Sequence, residues 1–356
     1  MASLSLRDRD AIVTKEGLIF RVFGYSHAPN WYVCDAEYAS AKIFTSKDPR
    51  APRTGGNQLF YKFYNDEGLK LVFAKFPRYT FFHEMLKQKV VGAKQADASE
   101  VRKPEDRLQT IIQAVRKDQL ENAMQRVLET SLQLSGLSLK NFGVFGSMLH
   151  GFHHPKFSDI DLVVYGRKEN EKMREILKEL YADPTSGFAN EFGTVTAMDG
   201  KRWRFKNYTV KEFLWHQERK QIYGLFEDKK GKRKIKAEFE PVKALNEISS
   251  EYDPQARVLQ KGWVKIKARV VDDADAPFIP SVYAIEPLEV LSGTTEALGA
   301  VRVFSYMEEF RLQAKKDEKV LVEGNLEEVV SPKGSFHQVT LTYCPRYYEQ
   351  VLKVVS

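Results

Sequence analysis

The sequence predicts a mixed α/β chain of three parts, in which a central α/β domain is flanked by a β-rich N-terminal module and a small C-terminal β-barrel. Three observations predict it. Aromatic, extended-looking runs fill the first ninety or so residues, a strand–loop–strand–helix order occupies the middle, and about five further strand-like runs follow residue 254. A chain of 356 residues is long enough for two or three hydrophobic cores. The expected parts are residues 1–95, 104–250 and 255–356.

In the first part, residues 18–23, 31–34, 59–64 and 69–73 read as strands, separated by turn-forming segments at 28–30, 52–56 and 65–68. Residues 92–106 are polar and offer little to bury, so a domain junction is expected there. Pro104 with Glu105 and Asp106 suits a helix start. Leu108, Ile111, Ile112 and Val115, then Leu120, Met124, Val127 and Leu128, recur at helical spacing and predict one broken helix or two. Residues 142–145 and 160–165 are short apolar runs typical of buried strands, and a charged helix is expected over 169–180. Residues 221–226 and 233–239 flank the turn Asp228-Lys-Lys-Gly-Lys232, which predicts a hairpin. After a linker at 249–254, strands are expected at 263–271, 281–285, 301–304, 319–324 and 338–343. Their number suits a small barrel, with an OB-type topology among those it allows.

Composition narrows the classes. The chain is 43% hydrophobic and 29% charged, as folded soluble proteins are, and no segment has the apolar length to span a bilayer. Residues 1–10 lack the apolar run of a secretory signal, so a cytoplasmic location is expected. The two cysteines, Cys34 and Cys344, support neither a disulfide framework nor a zinc site with closely spaced ligand pairs. A net charge of +7 favours polyanionic partners, although a well-solvated lysine surface gives the same count.

The chemistry is concentrated in Phe145-Gly-Ser-Met-Leu-His-Gly151 and Phe157-Ser-Asp-Ile-Asp-Leu-Val-Val-Tyr165. On a strand, Asp159 and Asp161 project from one face and can bind the same hard cations. Gly146 permits a tight turn after the preceding strand, and the Ser147 hydroxyl with neighbouring N–H groups can grip phosphate oxygens. Together these segments resemble the signature of the polymerase beta-like nucleotidyltransferases. That resemblance implies that Asp159 and Asp161 bind Mg²⁺ or Mn²⁺, that Ser147 contacts a nucleoside triphosphate, and that a third carboxylate arrives on a later strand. It covers residues 141–166 well, and the rest of the middle domain by order of elements. Relatives often carry arginine where this chain has His150.

For the third carboxylate, Glu238 and Glu240 share a face of the expected strand, opposite Ala237 and Phe239. Glu238 is preferred, because Ala237-Glu-Phe-Glu-Pro241 resembles an archaeal CCA-adding pattern, in which aspartate is commoner. Asp-x-Asp alone is common on strand ends; the upstream Gly-Ser at this spacing favours catalysis. His150, His153 and His154 are read as loop histidines near substrate, with a zinc site as the lesser alternative. The basic turn at 229–234 suits a nucleic-acid backbone or a solvated hairpin tip. Trp203, Arg204, Phe205, Trp215, Arg219 and Lys220 suit base stacking or core packing. The expected activity is transfer of a nucleoside monophosphate from an NTP or dNTP to a hydroxyl on RNA or DNA. A non-catalytic nucleic-acid binder and a small-molecule or protein nucleotidyltransferase remain as alternatives, and oligomeric state is left open.

Overall fold

In the computed structural model, which describes residues 5–193, 198, 204–250, 252–342 and 345–355, the aromatic runs of the first module form one eight-stranded sheet. Its strands are β1 (Ala11–Thr14), β2 (Leu18–Val22), β3 (Tyr32–Ser40), β4 (Pro52–Gly55), β5 (Gln58–Lys62), β6 (Thr80–His83), β7 (Gln88–Ala93) and β8 (Ala98–Arg102). The path runs β4-β5-β3-β2-β1-β8, with β7 bridging β3 and β6. One expectation is corrected here. The segment 69–73 is not a strand but lies in helix α1 (Glu67–Lys75), because the buried positions Gly68, Leu71 and Val72 follow helical spacing while Leu69 and Phe73 are exposed. A Cβ on Gly68 would lie 2.9 Å from the Ala36 Cβ, so glycine lets this helix approach β3 closely. The polar stretch read as a junction contains β8, which pairs antiparallel with β1 and so buries its backbone rather than its side chains.

The middle of the chain adds α2 (Pro104–Gln113), α3 (Gln119–Ser135), β9 (Phe142–Val144), α4 (Gly146–Leu149), β10 (Ile160–Tyr165), α5 (Arg167–Ala182), β11 (Phe188–Asn190), β12 (Tyr223–Asp228) and β13 (Arg233–Val242). Asp118 and Glu121 form a capping box at the start of α3, and Gly136 ends it in the left-handed conformation, φ 62°. The strands form a sheet in the order β11-β12-β13-β10-β9, with β10 parallel to β13 and antiparallel to β9. Ile160, Leu162 and Val164 of β10, with Ala237 and Phe239 of β13, enter one core with Leu128 of α3 and Leu177 of α5. The intervening residues of both strands therefore face the other side of the sheet.

By contacts the chain divides into two units. The first comprises Met1–His83, Gln88–Ala189 and Gly224–Tyr252, so the N-terminal sheet and most of the middle sheet belong together. The second comprises Glu84–Lys87, Asn190–Tyr223 and Asp253–Ser356. It holds α6 (Val210–Glu218) and six strands: β14 (Arg257–Asp275), β15 (Ser281–Ser292), β16 (Ala300–Ser305), β17 (Lys319–Ser331), β18 (Gly334–Leu341) and β19 (Val351–Val354). Pairing runs β14-β15-β16-β18-β17, and β17 also pairs with β14, so the path returns to its first strand. The contact of β16 with β18 is parallel, and β19 adds to β17. Val264, Ile266, Ala268 and Val270 alternate into the core of this unit.

Residues 205–216 are fastened to β19. The Tyr208 hydroxyl donates to the Leu352 carbonyl at 2.6 Å, and the His216 Nε2 accepts the Val354 N–H at 3.0 Å. Phe205 and Lys220 are buried, the Lys220 ammonium donating to the Glu309 carbonyl at 2.6 Å, so these two members of the aromatic-basic run are core, while Arg204 is exposed. Trp215 is 47% exposed but lies 4.4 Å from the Arg219 guanidinium, which pairs with Glu318. Trp203 and Cys344 lie outside the described residues. Cys34 is buried and free, and burial pushes its thiol up. Among the described residues no helix is long and apolar enough to cross a membrane.

Candidate active site

Asp161 is the second residue of β10, on the face turned away from the Leu162 core. Asp159 precedes the strand by one residue and is exposed. The parallel register sets Glu238 beside Asp161 and Glu240 beside Val163, and alternation gives both glutamates the face of Asp161. Glu238 is half-buried. Glu240 is 1% exposed and forms an ion pair with the equally buried Arg9.

Gly146 joins the other half of the motif to this cluster. It adopts φ +60°, and a Cβ there would stand 2.2 Å from the Asp161 Oδ2, so only glycine fits. The Phe145 N–H donates to the Asp161 carbonyl at 3.0 Å, which ties the start of α4 to β10. Ser147 follows, partly exposed, its carbonyl accepting the Phe152 N–H at 2.8 Å. The fold thus gathers Gly146, Asp161 and Glu238 directly, with Ser147 and Asp159 one and two residues away in sequence.

The electrostatics suit a cation. Desolvation, and then the charge of Asp159, push the Asp161 carboxyl up to about 7, with Glu240 and Glu37 adding to the effect and Lys62 opposing it. Carboxylates crowded in this way are hard oxygen donors whose mutual repulsion a divalent cation would relieve.

Several supporting residues were not legible as such. Arg233, part of the expected basic turn, donates to the carbonyls of Lys156 and Ser158, the latter at 3.0 Å, and so holds the loop just before Asp159. The neighbouring Lys229, Lys230, Lys232 and Lys234 are exposed. Arg7, Asp8, Arg9 and Asp10, a charge run that reads as solvated, are all buried. No sequence pattern signals that inversion.

The histidine reading is corrected in part. His150 is buried, with Arg102 donating to its Nδ1 at 3.1 Å. Because arginine only donates, the ring proton sits on Nε2, which faces the Glu37 carboxylate at 3.6 Å. Burial lowers the His150 pKa. His153 is also largely buried, its Nε2 2.8 Å from the Asp118 carboxylate. Asp118, Glu121 and His153 bring ligand atoms within 4.8 Å of one another and could hold a metal, although both acids already cap α3. His154 is exposed and accepts the Lys156 N–H at 3.1 Å.

The site is thus a parallel strand pair carrying acids on one face, next to a glycine turn and a serine. Residues 124–240 match the family model of the nucleotidyltransferase domain, which belongs to the polymerase beta-like superfamily. Over 334 residues the chain is also 27% identical to an uncharacterized protein of Methanocaldococcus jannaschii, a match that covers 93% of each. No solved structure matches.

Proposed function

We propose that this protein is a metal-dependent enzyme that transfers a nucleoside monophosphate from an NTP or dNTP to a hydroxyl of an RNA or DNA acceptor. The observation that carries the reading is the register of β10 and β13, which sets Glu238 beside Asp161 while Gly146 closes on the Asp161 carboxylate. Glu238 is the better third ligand than Glu240, because Glu240 is committed to Arg9. Asp159, Asp161 and Glu238 would hold Mg²⁺ or Mn²⁺, two ions in the full site. Bound there, such ions supply charge neutralisation on the phosphates and acidify the attacking hydroxyl. The chain's own tasks are to fix the three carboxylates on one rigid face and to offer the Ser147 hydroxyl to the triphosphate. Pyrophosphate is the leaving group.

The acceptor reading rests on the net charge of +7 and on the second unit, whose returning strand path with one parallel pair suits an OB-like barrel at residues 255–356. The first 95 residues and residues 104–250 are read as two modules that share one site. The test is incubation with Mg²⁺ or Mn²⁺, each labelled nucleoside triphosphate, and a panel of tRNA, single-stranded RNA and primed DNA. Label on one polymer supports the reading and names its class. Tight polymer binding without label supports a non-catalytic binder instead, and label only on small molecules or protein points to a different acceptor.

A further inference from the structure

The N-terminal sheet reaches the loop that joins the two halves of the motif. Phe152, between Ser147 and Asp159, packs against Tyr38 of β3 at 5.2 Å and Phe60 of β5 at 4.9 Å between ring centroids. A Cβ on Gly55 of β4 would lie 2.4 Å from the Phe152 ring, so the hairpin of β4 and β5 lies flush on it. Tyr38 also meets the His150 ring at 5.2 Å. These contacts settle which face of the hairpin looks toward the site. Phe60 and Lys62 are two residues apart on β5 and share a face, and Lys62 lies opposite Tyr38 in the register of β3 with β5. Lys62 therefore stands on the Phe152 side, partly exposed. From that face it interacts electrostatically with the carboxylates of both Asp161 and Glu37. Among the described residues it is committed to no ion pair.

A compact cation beside an acidic metal-type cluster, held on a rigid strand rather than a loop, is suited to one ligand class. It fits the oligophosphate tail of a substrate whose other phosphate oxygens meet the metal and Ser147. We propose that Lys62, contributed by the N-terminal sheet, binds the phosphates of the incoming triphosphate beyond the α-phosphate. The N-terminal sheet is then a working wall of the nucleotide site. This rests on the nucleotidyl-transfer reading above.

The test is calorimetric titration of the full chain with tripolyphosphate, with each NTP and with the matching monophosphates, in Mg²⁺ at low ionic strength. Wild type, Lys62→Ala and Lys62→Arg are compared, with thermal melts to confirm folding. The expected result is about a tenfold loss of tripolyphosphate and NTP affinity in Lys62→Ala, no loss for the monophosphates, and most of the affinity kept in Lys62→Arg. Equal binding of tripolyphosphate by wild type and Lys62→Ala overturns the proposal while leaving nucleotide binding intact. Equal weakening of triphosphates and monophosphates assigns Lys62 a general structural role and also overturns it. Failure of wild type to bind any triphosphate or tripolyphosphate overturns both this proposal and the reading beneath it.

Discussion

Replacing Gly146 by alanine separates a backbone cost from a site cost. The position has φ +60°, which an L-residue adopts at a penalty of about 1–2 kcal/mol. For a unit of this size such a loss lowers the melting temperature by about 2–8 °C. The added Cβ would also stand 2.2 Å from the Asp161 Oδ2 and 3.1 Å from its Cγ. Relieving that overlap displaces the carboxylate by at least about 1 Å, and a displacement of that size in a catalytic group costs about a hundredfold in rate. Gly151→Ala is the internal control. Gly151 has φ +66° with nothing within 4 Å of a built Cβ, so it carries the same backbone penalty without the clash. The assay pairs thermal melts with the turnover of labelled nucleotide. Gly146→Ala and Gly151→Ala should melt alike, with only the former losing about two orders of magnitude in turnover. If Gly146→Ala turns over within about threefold of wild type, or Gly151→Ala falls equally far, the close approach of Gly146 to Asp161 is not what holds the site.

Arg233→Gln removes the guanidinium that holds the Lys156 and Ser158 carbonyls, and turnover should fall about tenfold with the melting temperature nearly unchanged, read by the same paired assay. Arg9→Met strands the buried Glu240 carboxylate and should cost about 3–5 kcal/mol in denaturant unfolding, while the double variant Arg9→Met/Glu240→Met should recover much of it. Burial lowers the His216 pKa from 6.5 to about 4, and the neutral ring donates from Nδ1 to the Glu212 carbonyl while Nε2 accepts from Val354. The folded pKa of this base is depressed, so its contribution is fully present above pH 6.5 and is lost as pH falls toward 4. The loss amounts to about 3 kcal/mol, and His216→Gln should show that much less acid sensitivity across the window in denaturant titrations.

The strand signals were strong where a short apolar run read as a buried strand, as in β10, and where period-two alternation met turn residues, as in β13 after Asp228-Lys-Lys-Gly-Lys232. Leu69-Lys-Leu-Val-Phe73 misleads because its local alternation imitates a strand, while the residues that decide burial, Gly68, Leu71 and Val72, follow a helical period. The acidic motif was legible because both halves are local in sequence. Its support was not, since Arg9 reaches Glu240 across 231 positions, and Arg233 holds the Lys156 and Ser158 carbonyls across 77 and 75. A buried charge run such as Arg7-Asp-Arg-Asp10 reads as solvent-facing until its partners are known. The contribution of β5 is hidden for the same reason, because Phe60 and Lys62 take their meaning from Phe152, far along the chain.

The most direct measurement compares wild type with Asp161→Asn using triphosphates labelled in the α-phosphate and, separately, in the γ-phosphate, with Mg²⁺ and the nucleic-acid panel. Wild type should move the α-label onto a polymer and release the γ-label as pyrophosphate, while Asp161→Asn stays folded and does neither. Equal transfer by both proteins, or no α-label on any acceptor with wild type, would contradict nucleotidyl transfer at the Asp159–Asp161 site.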